Sequence, residues 1–324
     1  MTDRPAPIVV AVLGPTGTGK SALALSLAER FRGEIVSCDS TAVYRGFDIG
    51  TDKTPADARR GIPHHLIDVA DPTDEYTAAR YATDAAEAIR GIEARGRLPI
   101  VAGGTGFYFR ALTRGLFPGP ARDVALRARL GAVAARRGPE CLHRALARVD
   151  APSARRIQPR DTMRLVRALE VYRLTGRPLS EHFSATCSPL GTRTFVKIGL
   201  VLAGEELARR ISRRVDAQFA RGLLDEIRRL LAAGAPEAAR AFDAIGYRQG
   251  LEFLRGVRDE AATRELIASA TRRYARRQLI WFRKEPNLMW IRGAGELPET
   301  AAAAGRLVEE VLAPDGGAGV EVRS

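Results

Sequence analysis

The sequence predicts an α/β fold in which a parallel sheet carries helices on both faces and a second, helical region interrupts the chain. Three observations predict it. Short apolar runs alternate with helix-length periodic stretches as far as Gly104. The first of those runs leads directly into a glycine-rich loop, GPTGTGKS, residues 14–21. Between 120 and 190 strand signals become scarce, and 14 arginines with no lysine stand against 6 acidic residues.

Each element has its own warrant. Residues 8–13, IVVAVL, are apolar throughout, as a strand buried on both faces requires. SALALSLAERF repeats apolar residues at helical spacing. EIVSCDS (34–40) is the next strand, and a helix-length gap between two strands makes a βαβ unit with a parallel pairing. A helical pattern, YTAARYATDAAEAIRGIEARG, precedes a third strand, LPIVAGG (98–104). Pro118-Gly119-Pro120 marks a boundary, and the pattern is helical from 121 to about 185. TFVKIGLVLA (194–203) returns a strand to the core. EELARRISRRVDAQFARGLLDEIRRLLAAG and ATRELIASATRRYARRQLIWFRK are helical. The expected organisation is a catalytic core from 1–120 and 191–312, a basic helical insertion at 121–190, and a flexible Gly-rich tail at 313–324.

Composition narrows the class. The chain has 324 residues, 45% of them hydrophobic, yet no apolar run approaches the roughly 20 residues that cross a bilayer. The start, MTDRPAPIVV, lacks the pattern of a secretory signal, so a cytoplasmic enzyme without membrane attachment is expected. Cys38, Cys141 and Cys187 are scattered, which argues against disulfides and zinc ribbons. The net charge of +13 calls for a polyanionic partner, and over half of that excess falls on the insertion.

GPTGTGKS satisfies GxxxxGK[ST] in full, between a strand and a helix. Gly14, Pro15, Thr16, Gly17, Thr18 and Gly19 form a loop whose amides can converge on phosphate oxygens, aided by the helix N-terminus. Lys20 can reach the terminal phosphate, and Ser21 can ligate Mg²⁺. The motif specifies a di- or triphosphate with magnesium, not ATP as such. Asp39, at the end of the second strand, has three readings: a carboxylate holding Mg²⁺ through water, a general base where α/β sheets place ligands, or a cap.

Four stretches resemble one family: GPTGTGKS, DSTAVYRGFDIGTDK, IPHHLIDVADPTDEYTAARY and PIVAGGTGFYFRAL. The likeness continues in DTMRLVRALEVYRLTGRPLS, RRISRRVDAQFARGLLDEI, AIGYRQ and RRQLIWFRK. Together, from about 8 to 290, they are similar to the tRNA dimethylallyltransferases (tRNA isopentenyltransferases) in their bacterial form, without a zinc-finger extension. The resemblance implies a P-loop NTPase-like core and a prenyl transfer. Dimethylallyl diphosphate gives its five-carbon group to N6 of adenosine 37 in the tRNA anticodon loop, and diphosphate leaves. The loop from Gly14 to Ser21 then holds the donor's diphosphate, with Mg²⁺ at Ser21.

By family position Asp39 matches the base that takes the amino proton, Thr105 a residue at the reacting centre, and Arg214 an arginine near the diphosphate. Thr105 can also cap the following helix, and Arg214 shares its segment with Arg209, Arg210 and Arg213. Asp39, Ser40, Thr41 and Ala42, with Thr105, match contacts to the target base. Arg127 and the run Met163, Arg164, Leu165, Val166, Arg167 match contacts to tRNA in the insertion. Arg160, Arg164 and Arg167 stand at helical spacing, so one face could meet successive phosphates. Tyr108, Phe109, Trp281 and Phe282 are core residues or walls of a prenyl pocket. His64 and His65, adjacent on an extended segment, cannot easily share a metal and read as loop-ordering residues.

Some positions depart from the pattern. Gly17 stands where many relatives have Ala, Thr41-Ala42-Val43 precedes Tyr44 where a Gln- or Leu-like residue is common, and Phe47 replaces Met. A monomer is expected. Three other readings remain compatible with the residues: a small-molecule kinase with an arginine-rich lid, a prenyltransferase acting on free AMP, and an RNA-binding protein with a vestigial loop.

Overall fold

A computed structural model describes residues 6–117, 119–183 and 186–313. The expectation of a frayed tail falls almost wholly on 314–324, outside the described residues. The chain divides into two compact units, one made of Met1–Leu112 and Leu190–Ser324, the other of Thr113–Pro189.

In chain order the elements begin with β1 (Ile8–Leu13), α1 (Lys20–Phe31), β2 (Gly33–Cys38), β3 (His64–His65), α2 (Ala78–Ala94), β4 (Leu98–Gly103) and α3 (Gly106–Arg114). The helical unit holds α4 (Val124–Arg137), α5 (Glu140–Val149), α6 (Ala151–Arg156), α7 (Thr162–Thr175) and α8 (Leu179–Phe183). The chain then adds β5 (Thr194–Val201), α9 (Gly204–Ala220), α10 (Leu223–Ala232), α11 (Tyr247–Leu254), α12 (Glu260–Phe282), β6 (Leu288–Arg292) and α13 (Pro298–Leu312).

The six strands are parallel, in the order β3-β2-β4-β1-β5-β6. Register explains the two-sided core. Val10 sits opposite Ile100 and Val196, and Val12 opposite Ile198. These residues pack with Leu23, Leu27 and Ala28 of α1 and with Ala304 and Val308 of α13. Alternation sends the intervening residues to the other face. There Phe195 meets Phe109 of α3 edge-on, and Cys38 meets the Tyr81 hydroxyl of α2. Both faces are covered, as continuous apolar strands demand.

This order places three neighbouring strand ends together. β2 runs into Asp39, β4 into Thr105, and β1 into the loop at 14–19. Open α/β sheets bind ligands at such carboxyl ends.

The structure adds detail that periodicity left out. The stretch 205–234 is broken at Arg221-Gly222, where Gly222 takes φ 89° and starts α10. β6 and α13 carry no strong sequence signal. β6 is an edge strand with alternate residues in contact with solvent, and α13 buries Thr300, Ala304, Gly305 and Val308. His64 and His65 form the edge strand β3, each with its own partner: Ile62 O at 2.9 Å and Glu34 Oε2 at 2.7 Å. Among the described residues no group of three or more His, Cys, Asp or Glu could hold a metal, and no helix is long and apolar enough to cross a membrane.

The helical unit has a small core of its own, built from Leu142, Leu146, Ala154, Leu165, Ala168 and Leu169. Beside it Glu170 is fully buried, and its carboxylate receives Arg127 at 2.8 and 2.9 Å and Arg167 at 2.6 Å.

Candidate active site

The GPTGTGKS loop is held by backbone geometry that favours glycine. Gly14 has φ 136°, and a Cβ there would lie 2.6 Å from Leu200 O. Gly19 has φ 83° and a Cβ would lie 2.6 Å from Gly295 N. α1 then begins at Lys20, so its free N–H groups face the loop. Thr18 is buried and ties its hydroxyl to Pro15 O at 2.9 Å.

Side chains from later in the chain brace this loop. Arg214 of α9 donates to Thr16 Oγ1 at 3.1 Å, and Arg210, one turn earlier, donates to Gly17 O at 2.7 Å. Gln278 of α12 is a cross-brace: its Oε1 accepts the Thr16 N–H at 2.8 Å and its Nε2 donates to Gly104 O at 2.9 Å. Lys20 Nζ donates to Pro15 O at 2.6 Å. Burial first, and the Arg214 charge second, push Lys20 down to about 8.

Opposite the loop, Asp39 is fixed by its own turn. Its Oδ1 accepts Thr41 N at 2.8 Å, Thr41 Oγ1 at 2.7 Å and Ala42 N at 3.3 Å. Oδ2 has no hydrogen-bond partner among the described residues. One oxygen therefore orients the group while the other is left without a protein hydrogen bond. Thr105 Oγ1 accepts the Ser40 N–H at 3.0 Å, tying the β4 end to the β2 end. Tyr274 of α12 lines the same cleft, and burial, helped by the Asp39 charge, pushes its phenol up to about 12. The phenol therefore stays protonated. Cys38, buried beneath, is also pushed up to about 12, by burial above all, and is no nucleophile at neutral pH.

These groups line one cleft of about 980 Å³. It brings together Thr16, Gly17, Gly19, Lys20 and Ser21, then Asp39 to Ala42, with Arg214, Gln278 and Tyr274. Thr105 reaches it through Ser40. Gly14, Pro15 and Thr18 form the buried underside of the loop. Ser21 is exposed at the cleft, and its hydroxyl has no hydrogen-bond partner among the described residues. Phe109 and Phe282 are core residues, 1% exposed each, and Tyr108 is buried too. Trp281 packs edge-on against Phe107 under Arg110.

The insertion residues separate by role. Met163 is 84% exposed at the start of α7, and the Arg164 side chain is 66% exposed. Leu165 and Val166 face the unit's core, and Arg127 and Arg167 are held by Glu170. Arg160 lies before the helix, whose cap is Asp161, and pairs with Glu140 at 3.1 Å. A single face through Arg160, Arg164 and Arg167 is therefore not formed, because the helix starts two residues too late.

Gln278, Arg210, Tyr274 and Asp52 were not separable in the sequence. Gln278, Arg210 and Tyr274 sit in arginine-rich helices whose periodicity marks faces, not individual partners, and Asp52 lies in a loop.

The sequence comparisons agree with this architecture. The family model described as IPP transferase matches residues 42–285. A tRNA dimethylallyltransferase from Solibacter usitatus is 51% identical over 91% of this chain and 96% of its own. The crystal structure of the full-length tRNA isopentenylpyrophosphate transferase from Bacillus halodurans is 35% identical with a TM-score of 0.70, covering 95% of this chain and 97% of that one. A eukaryotic dimethylallyltransferase acting on tRNA gives a TM-score of 0.77 at 28% identity, covering 95% and 80%. With most of its length matched at such identity, and a P-loop core of the same fold, the chain belongs to the tRNA dimethylallyltransferase, or IPP transferase, family.

Proposed function

We propose that this enzyme transfers the dimethylallyl group of dimethylallyl diphosphate to N6 of adenosine 37 in the anticodon loop of tRNA. The observation that carries the proposal is that Asp39, whose Oδ2 has no hydrogen-bond partner among the described residues, lines the same cleft as the GPTGTGKS loop.

The chemistry follows from the charges. The allylic C–O bond breaks, a C–N bond forms to N6, the N6 proton goes to Asp39, and diphosphate leaves. Negative charge grows on the diphosphate as the C–O bond lengthens. Loop amides, Lys20 and Arg214 are fixed beforehand where that charge develops, which is how an enzyme stabilises a transition state more than a ground state. An exocyclic amine is a weak nucleophile, and a positioned base contributes about 10² to 10⁴ in rate. Tyr274 and Thr105 stand beside Asp39 as neutral hydrogen-bonding groups.

Ser21 offers its unpartnered hydroxyl as a protein ligand for Mg²⁺. One hydroxyl from the protein suits an ion that takes its remaining ligands from water and phosphate. When bound, the ion neutralises part of the diphosphate charge. On the RNA side, Asp39 to Ala42 serve the target base, and exposed Met163 and Arg164 serve the backbone and neighbouring bases. The target is a loop nucleotide, which costs less to unstack than a paired one.

A kinase with the same loop would consume ATP. The test is an incubation with labelled dimethylallyl diphosphate, unmodified tRNA and Mg²⁺, with and without ATP. Label on the tRNA without ATP is expected. Label that appears only with ATP, or appears on free AMP and not on tRNA, overturns the proposal.

A further inference from the structure

Asp52 places a negative charge where an anion is to be bound. It lies in the cleft with its carboxylate 3.3 Å from Arg214 Nη1 and 2.7 Å from Arg221 Nη2. Arg214 is the same side chain that reaches Thr16 in the phosphate loop. An acid beside a diphosphate site works against the ligand in two ways. It repels the anion directly, and it occupies the cations that the anion needs.

The loop that carries Asp52 is fixed, so this placement is built in. Lys53 is buried and holds Tyr44 O at 2.6 Å, Asp48 at 2.8 Å and Asp68 at 2.5 Å. Glu226, also buried, accepts the N–H groups of Asp48 and Ile49 at 3.2 and 2.8 Å, and Tyr247 donates to it at 2.5 Å. Gln278 and Gln218 behave alike in principle: Gln218 donates to Ile49 O and Gly50 O at 3.1 and 3.0 Å. Asp52 itself has φ 56°, a left-handed conformation that Asp and Asn tolerate better than other side chains. Three other nearby acids are placed differently. Asp48 and Asp68 are spent on Lys53, and Glu296 pairs at 2.5 Å with Arg210, whose Nε goes to the loop's own carbonyl at Gly17.

We propose that Asp52 is a resident counter-ion that holds Arg214 and Arg221 while the cleft is empty, competes with diphosphate for them, and so limits how tightly the product is retained. It is a positioning residue, acting through the arginines and not on the reacting atoms. The inference rests on the reading of the cleft as a diphosphate site. For a prenyl transfer it has a clear use. The diphosphate product carries the same charged group as the donor, so loop contacts that hold one also hold the other. A competing carboxylate lets the product leave.

The test uses the full chain and inorganic diphosphate with Mg²⁺, titrated by calorimetry, alongside donor KM and kcat. Failure of the unaltered enzyme to bind diphosphate would remove the diphosphate reading itself. Given that binding, Asp52→Asn is expected to bind diphosphate about three- to tenfold more tightly, as loss of one partly exposed ion-pairing acid allows, and to lower donor KM. Asp52→Glu is expected to stay near the unaltered enzyme, and Asp225→Asn, a surface acid paired with Arg228, to leave the affinity alone. Equal or weaker diphosphate binding by Asp52→Asn at an unchanged melting temperature overturns the proposal. So does equal tightening by Asp52→Glu or Asp225→Asn, since neither would then point to this carboxylate. If Asp52→Asn loses its fold, Asp52→Gly, which suits φ 56° better still, carries the same expectation.

Discussion

Replacing Glu170 with glutamine keeps the shape of a buried side chain and removes its charge. In the native unit this carboxylate is 0% exposed and takes four hydrogen bonds: two from Arg127, one from Arg167 and one from the Asp123 N–H at 2.9 Å. Burial alone would raise its pKa, but the bonds from Arg127 and Arg167 outweigh burial and hold it down to about 2, against an ordinary 4.5. At about 1.36 kcal/mol per unit, that gap favours the charged, folded form by about 3 kcal/mol at neutral pH. The two guanidiniums are about one-third exposed and regain water in the variant, so the loss is set at about 2–3 kcal/mol. Hydrogen exchange read peptide by peptide should then show α4 and α7 opening about 30- to 160-fold more often. The acid profile gives a second reading. As pH falls, the unfolded carboxyl takes its proton near 4.5 and the folded one only near 2. The contribution is whole above about pH 4.5 and drains away toward 2, and Glu170→Gln should lack this drain. Exchange within about threefold of the unaltered chain, or an unchanged acid profile, would refute the reasoning.

Three further outcomes are expected. Donor affinity should fall as pH rises through about 8, by up to about tenfold per pH unit, because Lys20 must be protonated to attract the diphosphate and burial has lowered its pKa to about 8; a flat binding profile from about pH 7 to 9.5 would speak against Lys20 as a ligand. Gly14→Ala should cost on the order of 3 kcal/mol or more, through φ 136° and the close approach to Leu200 O, and a melting temperature near that of the unaltered enzyme would contradict it. Arg164→Ala should weaken tRNA binding and reduce the salt slope of log K by about 1, whereas an unchanged slope would mark a solvated side chain with no phosphate partner.

What the sequence made legible, and what it did not, divides along physical lines. The apolar runs at 8–13 and 98–104 became β1 and β4 because a strand buried on both faces has no polar alternation to hide it. The GPTGTGKS loop was readable for a related reason: Gly14 and Gly19 occupy backbone conformations and close approaches that strain any other residue. Asp39 could be placed at a strand end, but its assignment as Mg²⁺ carboxylate, base or cap stayed open from sequence alone. The structure shows Oδ1 capping the turn at Thr41 and Ala42, with Oδ2 unpartnered among the described residues. By contrast, β6 is an edge strand and β3 only two residues long, too short for any period to emerge. Arg127 and Arg167 look alike with Arg164 in the sequence. Only the three-dimensional placement of Glu170, 43 residues from Arg127 in the chain, distinguishes those it holds from the one left in solvent.

The central claim is that Asp39 accepts the amino proton over a loop that holds diphosphate, and single-turnover kinetics of Asp39→Asn test it most directly. With saturating tRNA and donor, the rate should fall about 10² to 10⁴-fold while the dissociation constant for dimethylallyl diphosphate stays within about threefold. A variant that turns over at the unaltered rate, or that loses donor binding in proportion to its rate, would contradict the account.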